Sequence, residues 1–409
     1  MSGAAGGLLL SGATLSTGQV VDVRLEGARI AEVGAPGALG TAADWLDLTG
    51  FVLLPAPAEP HAHLDTALTA DQVPNPASDL EGAIEAIKRH QATATHGELV
   101  ERATAGALIG LANGATAVRS HVGIYEEVGT KAVEALLEVR AAVAGRVDLQ
   151  LVALTVRLTG AEGTELRAML RAAMEMGVDV VGGCPHLDPD PVAYTDLVLD
   201  LATEFGRPLD LHTDETLNPG MLQLPHYADL IASTGFPHGA TASHCVSLGV
   251  QPPAVATDVA ERVAKAQLAI VCNPQTNLFL QARDHRSSPP RGLTALRALL
   301  EAGATVAGGG DNLQDPFNLV GRADPLETAS LLITGGHLSP ETAYAAVSAG
   351  ARAAMGLPEV RVEAGRPAEL LAVEASSVRE AIAAPGGRVV ISKGRVLSRT
   401  VVTRELHVR

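Results

Sequence analysis

From about residue 51 to residue 336 the chain repeats one design: an apolar run of strand length, then an amphipathic run of helix length. ATAVRSHV is followed by KAVEALLEVRAAVAG, DLQLVALTV by TELRAMLRAAMEMG, and VDVVGGCPH by YTDLVLDLATEFG. PLDLHTDE precedes LPHYADLIAST, GATASHCV precedes DVAERVAKAQ, LAIVCNP precedes TALRALLEAG, and TVAGGGDN precedes PLETASLLITGG. With FVLLPAPAEPHAH at the front, the count is eight strand–helix pairs. Repeated βα units imply a parallel sheet with right-handed crossovers. Eight of them over about 300 residues predict a closed α/β barrel of the (β/α)₈ TIM type. A doubly wound open sheet is the alternative. It lacks its glycine-rich phosphate loop, because AGGGDN comes late and is not followed by Lys-Ser/Thr.

The flanks differ. VVDVRLEGARIAEVG (Val20–Gly34) reads as a hairpin turning at EGAR, and RVVISKGRVLS (Arg388–Ser398) as another turning at SKGR. Chain termini often lie close together, so the two ends are expected to share one small β module. The expected division is 1–54 for its N-terminal part, 55–356 for the barrel and 357–409 for its C-terminal part. The polar, proline-rich RDHRSSPPRG (Arg283–Gly292) reads as a lid or as an ordinary surface loop.

Composition narrows the function class. A net charge of −16 with only 30 Lys plus Arg argues against nucleic acid and anionic membrane as partners. Aromatics make up 2% of the chain, so the core must be mostly Ala, Val and Leu. Cys184, Cys245 and Cys272 have no CxxC spacing, which fits a reducing cytoplasm better than a disulfide framework. The start MSGAAGGLLLSGATL has no basic leader, and no run of 18 apolar residues suggests a membrane span.

In such a barrel the catalytic face lies at the C-terminal ends of the strands. His61 and His63 stand at the first such end, His121 at the second, His186 at the fourth, His212 with Asp214 and Glu215 at the fifth, His244 at the sixth and Asp311 at the eighth. In EPHAHLD, His61, His63 and Asp65 alternate, as residues sharing one face of a strand do. A lone histidine at a strand end is usually a structural hydrogen-bonder. Six of 13 histidines falling there is harder to explain structurally. A His-x-His pair with a distant His and Asp makes a divalent-metal set that suits Zn²⁺ or Fe²⁺ without a thiolate. A metal so held lowers the pKa of its bound water to roughly 7.

PHAHLD, LHTDE, SHC and GGGDN, together with HLDTALTA, GATASH and NPQTNLFLQAR, resemble the amidohydrolase superfamily and within it the cytosine-deaminase-like branch. The resemblance covers almost the whole chain. It implies a distorted (β/α)₈ barrel with a small β-sandwich module built from both termini. It also implies metal-dependent hydrolysis of amines or amides, often on nitrogen heterocycles. Position by position, it makes His61, His63, His212 and Asp311 the metal ligands and Glu215 the proton shuttle. His244 becomes the residue that hydrogen-bonds the attacking water or the developing charge, and Asp311 also helps take the water's proton. Many members hold two metals through a carbamylated lysine on strand four. The four lysines here, Lys88, Lys131, Lys265 and Lys393, all lie elsewhere, which favours one Zn²⁺ or Fe²⁺ per chain. The implied reaction is attack of metal-bound hydroxide on an amino-bearing ring carbon, with Glu215 protonating first the ring nitrogen and then the leaving ammonia. The competing reading of Glu215 is a first-turn acid on the following helix. Asp65 is expected to hydrogen-bond a ligand imidazole, and Asp214 to face away from the site. His121 and His186 either line the pocket or are structural.

The match departs where substrate is read. Val156 stands where the branch has a glutamine for the pyrimidine's amide edge, Asn312 replaces an acid and Phe317 a tryptophan. Arg157 either meets an anionic group or points to solvent. The expectation is therefore a cytoplasmic, metal-dependent deaminase of a small nitrogen heterocycle other than cytosine, with neither nucleic acid nor membrane as partner and a homo-oligomer left open. Hydrolysis of a cyclic or exocyclic amide C–N bond is the alternative, and a non-catalytic metal- or ligand-binding barrel is the rival of a different class.

Overall fold

The computed structural model describes residues 7–384 and 386–407; Met1–Gly6, where no leader was expected, Pro385 and the last two residues lie outside that range. Five strands open the chain: β1 (Leu8–Thr14), β2 (Val20–Glu26), β3 (Arg29–Gly34), β4 (Asp44–Asp47) and β5 (Phe51–Pro55). Eight more alternate with helices: β6 (Glu59–Ala62), β7 (Ala117–Gly123), β8 (Asp148–Leu154), β9 (Val180–Gly183), β10 (Leu209–Thr213), β11 (Ala240–His244), β12 (Ala269–Cys272) and β13 (Val306–Gly308). The last three are β14 (Leu370–Glu374), β15 (Arg388–Ser392) and β16 (Arg395–Thr400).

Strands β6 to β13 pair in sequence order, each parallel to the next. The seam between first and last is closed by one bridge, Ala62 to Asp311, with the Asp311 N–H donating to the His61 carbonyl at 2.9 Å. The chain is thus a (β/α)₈ barrel, distorted at a seam that runs through the strand ends carrying His61 and Asp311. β7 and β9 to β12 are buried along their whole length, as expected of parallel strands covered on both faces.

The termini meet as expected, in one mixed sheet rather than two facing ones. Its order is β16-β15-β14-β5-β1-β2-β3, with β4 parallel on β1. Both hairpins are present, with Leu25 opposite Ile30 in one and Val390 opposite Ser398 in the other. One reading is corrected. The apolar run that seemed to lead the first barrel strand is β5, which pairs antiparallel with β14 through Leu53 and Ala372. The barrel starts only at Glu59, because Pro55 and Pro57 have no N–H to continue a ladder. Each layer has its own apolar core, Leu10, Val23, Ile30 and Leu370 under the terminal sheet, and Val122, Leu136, Leu211 and Val263 between barrel and helices.

Candidate active site

Four side chains converge at the seam. His61 lies within β6 and His63 one residue past its end, while His212 lies in β10 and Asp311 three residues past β13. The Nε2 atoms of His61 and His63 stand 3.1 and 3.2 Å from Nε2 of His212. Asp311 Oδ1 is 3.6 Å from His61 Nε2 and 3.3 Å from His63 Nε2. Burial, reinforced by the neighbouring imidazoles, holds His61 and His212 well below the usual histidine range, so both are neutral with lone pairs to offer. Burial and the Glu215 carboxyl hold Asp311 well above the usual carboxylate range, and neither of its buried oxygens has a hydrogen-bond donor. Facing lone pairs beside an unsolvated carboxylate are costly without a cation. Ligands about 2.0–2.1 Å from a Zn²⁺ in a tetrahedral shell would lie about 3.3–3.4 Å from one another. The observed spacings bracket that value, so these donors could hold a divalent ion; His61, His121 and His212, and His61, His244 and Asp311, also offer donor atoms within 4.8 Å of one another.

Beside them lies an acid–base pair. Glu215 Oε1 is 3.4 Å from His244 Nδ1, and His244 Nε2 is 3.9 Å from Asp311 Oδ2. Asn277 and Asn273 point their amides at the two ring nitrogens of His244, at 3.1 and 3.3 Å. Burial alone lifts Glu215 to about 8, so its carboxyl keeps a proton at neutral pH. The following helix, Leu224–Thr234, begins nine residues later, which removes the reading of Glu215 as a first-turn acid. Its N-terminus is held instead by Asp214, whose carboxylate accepts from the N–H groups of Gln223 and Leu224; Asp214 faces away from the site as expected.

The site opens into a small cavity. His63, His212, Glu215, His244 and Asp311 form its floor, and Val156, Tyr125, Leu154, Phe317, Leu80 and Ile84 much of its wall. Leu80 and Ile84, four apart on one face of the helix Leu80–Thr93, line it together. That helix is started by Asp79, whose carboxylate accepts the Gly82 N–H at 2.8 Å. None of residues 283–292 lines the cavity.

Val156 and Phe317 are on the wall, and Asn312 is there too, held by Thr276 and Asp315. Arg157 is not. Val156 and Arg157 both lie past the end of β8, and the Arg157 guanidinium pairs with Glu162 at 3.0 Å on the surface. His121 is fully buried beneath the cluster, its ring 4.0 Å from that of His61, and does not reach the cavity. His186 donates from Nδ1 to the His212 carbonyl, at 3.2 Å. Asp65 binds no imidazole; its Oδ2 accepts from Gln91 and from the Gly123 N–H, both at 3.0 Å.

Sequence reasoning missed a buried polar layer. Glu59 accepts from the Gly310 and His61 N–H groups and ties the last strand's loop to the first. Asp210, two before His212, accepts from Arg119, two before His121. The i, i+2 rule could have found both, since residues two apart share a strand face. Gly309 leaves room for this layer, because a Cβ there would meet Asn273 Oδ1 at 2.6 Å. Gly123 does the same for Tyr125, whose ring a Cβ would meet at 2.6–2.9 Å.

Residues 101–398 match the model of the amidohydrolase family. The chain is 30% identical over 404 residues to a pterin deaminase of Rhizobium rhizogenes, covering 97% of this chain and 89% of that one. It is 25% identical over 394 residues to N-isopropylammelide isopropyl amidohydrolase of a Pseudomonas species, covering 92% and 93%. Among solved structures it resembles 5-methylcytosine deaminase from Klebsiella pneumoniae liganded with 5-fluorocytosine, with a TM-score of 0.86, 27% identity, and coverage of 98% of this chain and 99% of that one.

Proposed function

This chain belongs to the amidohydrolase family and is a hydrolase of C–N bonds, and we propose that it deaminates an amino-bearing nitrogen heterocycle of the pterin kind. The observation that carries this is a donor cluster and a proton-bearing Glu215 opening together onto one cavity whose wall is Val156, Tyr125 and Phe317. A pyrimidine's amide edge against Val156 finds neither donor nor acceptor. The wall here is apolar and aromatic, and the likeness to a pterin deaminase favours a pterin over cytosine.

In this reading His61, His63, His212 and Asp311 hold one Zn²⁺ or Fe²⁺, which supplies activation of water as a nucleophile near neutral pH. Asp311 Oδ2, directed toward His244, accepts a proton from the attacking water. His244, fixed by Asn273 and Asn277, steadies charge at the carbon under attack. Glu215 delivers its proton to the ring nitrogen, takes up the one that Asp311 removed from the water and passes it to the amine, and the remaining hydroxyl proton then restores Glu215. The C–N bond breaks, so ring-NH₂ and water become ring-C=O and ammonia. We place the enzyme in the cytoplasm, with no nucleic-acid or membrane partner; among the described residues no helix is long and apolar enough to cross a membrane. Departure of a substituted amine is the second reading, favoured by the likeness to N-isopropylammelide isopropyl amidohydrolase. Measuring ammonia release from a pterin by Zn²⁺-loaded protein, against release from cytosine and of isopropylamine from N-isopropylammelide, tests the choice. Isopropylamine as the faster product would reverse it.

A further inference from the structure

We infer that Ser243 is a positioning residue for the metal cluster: its hydroxyl, oriented by the Arg119–Asp210 pair, fixes which nitrogen of His61 faces the ion. The inference rests on His61 being a ligand. Ser243 lies in β11, fully buried, with Oγ 2.9 Å from His61 Nδ1 and 3.2 Å from Asp210 Oδ1. Asp210 also accepts from Arg119 Nη1 at 2.7 Å through its other oxygen, and Arg119 is anchored by Gln150 and Thr241 at 3.0 and 3.3 Å.

Counting protons settles the direction of the chain. A guanidinium can only donate, so the ion-paired carboxylate of Asp210 can only accept. The single hydroxyl proton of Ser243 therefore goes to Asp210, and its oxygen must accept from His61. That makes His61 the Nδ1–H tautomer and leaves the lone pair on Nε2, the atom 3.1 Å from His212 Nε2 and 3.6 Å from Asp311 Oδ1. Among the described residues His61 is the one imidazole of the three whose outer nitrogen has such a partner; Nδ1 of His212 is buried with none. A metal-bound histidine usually donates its second N–H to a carboxylate, carbonyl or water, and loss of that partner typically costs about 10–100-fold in metal affinity. Here a serine stands between the ring and the Asp210 carboxylate.

Ser243→Ala keeps the Arg119–Asp210 pair intact and removes only the relay. Zn²⁺ affinity is measured by chelator competition on the full chain for the parent, Ser243→Ala and His61→Ala, with thermal melting of each. Ser243→Ala is expected to melt near the parent yet hold Zn²⁺ about 10–100-fold more weakly, and His61→Ala to lose tight binding. Parent-like affinity in Ser243→Ala beside failed binding in His61→Ala would overturn the positioning role alone. Parent-like affinity in His61→Ala would overturn the ligand assignment and the inference with it. Nitrogen NMR of the imidazoles in the Zn²⁺-loaded parent gives an independent answer, needing no variant: His61 must carry its proton on Nδ1, and a proton on Nε2 refutes the relay.

Discussion

Glu215→Gln isolates the proton-carrying step from everything else the site does. The amide keeps the size and shape of the side chain. Its oxygen can still accept the long 3.4 Å contact from Asn277, and Glu215 is not among the four converging donors, so metal content should not change. What goes is a group that burial holds protonated up to about pH 8, facing His244 at 3.4 Å. Positioned acid–base groups contribute about 10²–10⁴-fold, and one used twice in a turnover belongs at the upper end. The variant should also fold at least as well as the parent, because it removes a buried ionisable group that has no cationic partner. The assay is ammonia release with a pterin, with metal content by elemental analysis on the same sample and a melting curve. A variant with full metal that kept more than about a tenth of the parent rate would show that another group moves the proton.

Chelation should abolish turnover and one equivalent of Zn²⁺ or Fe²⁺ restore it, with Asp311→Ala binding metal weakly; two tightly bound ions per active chain would contradict the four-donor site. Val156→Gln should improve cytosine relative to a pterin, since each ring group left unpaired costs roughly 1–3 kcal/mol, or about 5- to 150-fold in kcat/KM; an unchanged ratio refutes Val156 as the reader of that edge. Gly123→Ala should cost about 1–3 kcal/mol by driving a methyl into the Tyr125 ring, measured by denaturant unfolding. In a Tyr125→Ala background the same change should be nearly silent, and equal costs in both would refute the contact. Arg119→Met should destabilise by about 3–5 kcal/mol, because it leaves the buried Asp210 carboxylate without its cation; a loss below about 1 kcal/mol would mean that Asp210 folds protonated.

The barrel was legible because its strands are continuous apolar runs and its helices amphipathic, and each polar exception fell at a strand end. His61 and His212 could be read as site residues from that placement alone, since an inward residue of a parallel strand has nowhere else to point. The seam was less legible. Phe51–Pro55 is as apolar as a barrel strand, and only the long-range pairing with β14 assigns it to the terminal sheet. His244 and Asp311 were also placed at strand ends, with their roles given by resemblance, but strict alternation would have misplaced His244. Ser243 takes the inward position, so His244 should face outward. It turns into the cluster because it adopts φ +70°, and Asp311 adopts φ +64° at the corresponding point of the last strand. Left-handed backbone at a non-glycine residue leaves no trace in a hydrophobic pattern. Arg157 shows the converse: placed beside the wall residue, it pairs with Glu162 on the surface instead. Ser243 and Asp210 went unread because a serine and an aspartate within a strand look like ordinary polar interruptions until Arg119 is brought across the barrel.

Metal-dependent deamination of an aromatic nitrogen heterocycle is tested most directly by steady-state ammonia release. Zn²⁺- or Fe²⁺-loaded protein should release one ammonia per pterin consumed, with kcat/KM above that for cytosine, and chelated protein should release none. Hydrolysis of a cyclic amide by the loaded protein, with no ammonia from a pterin, cytosine or any other aminated ring, would contradict it.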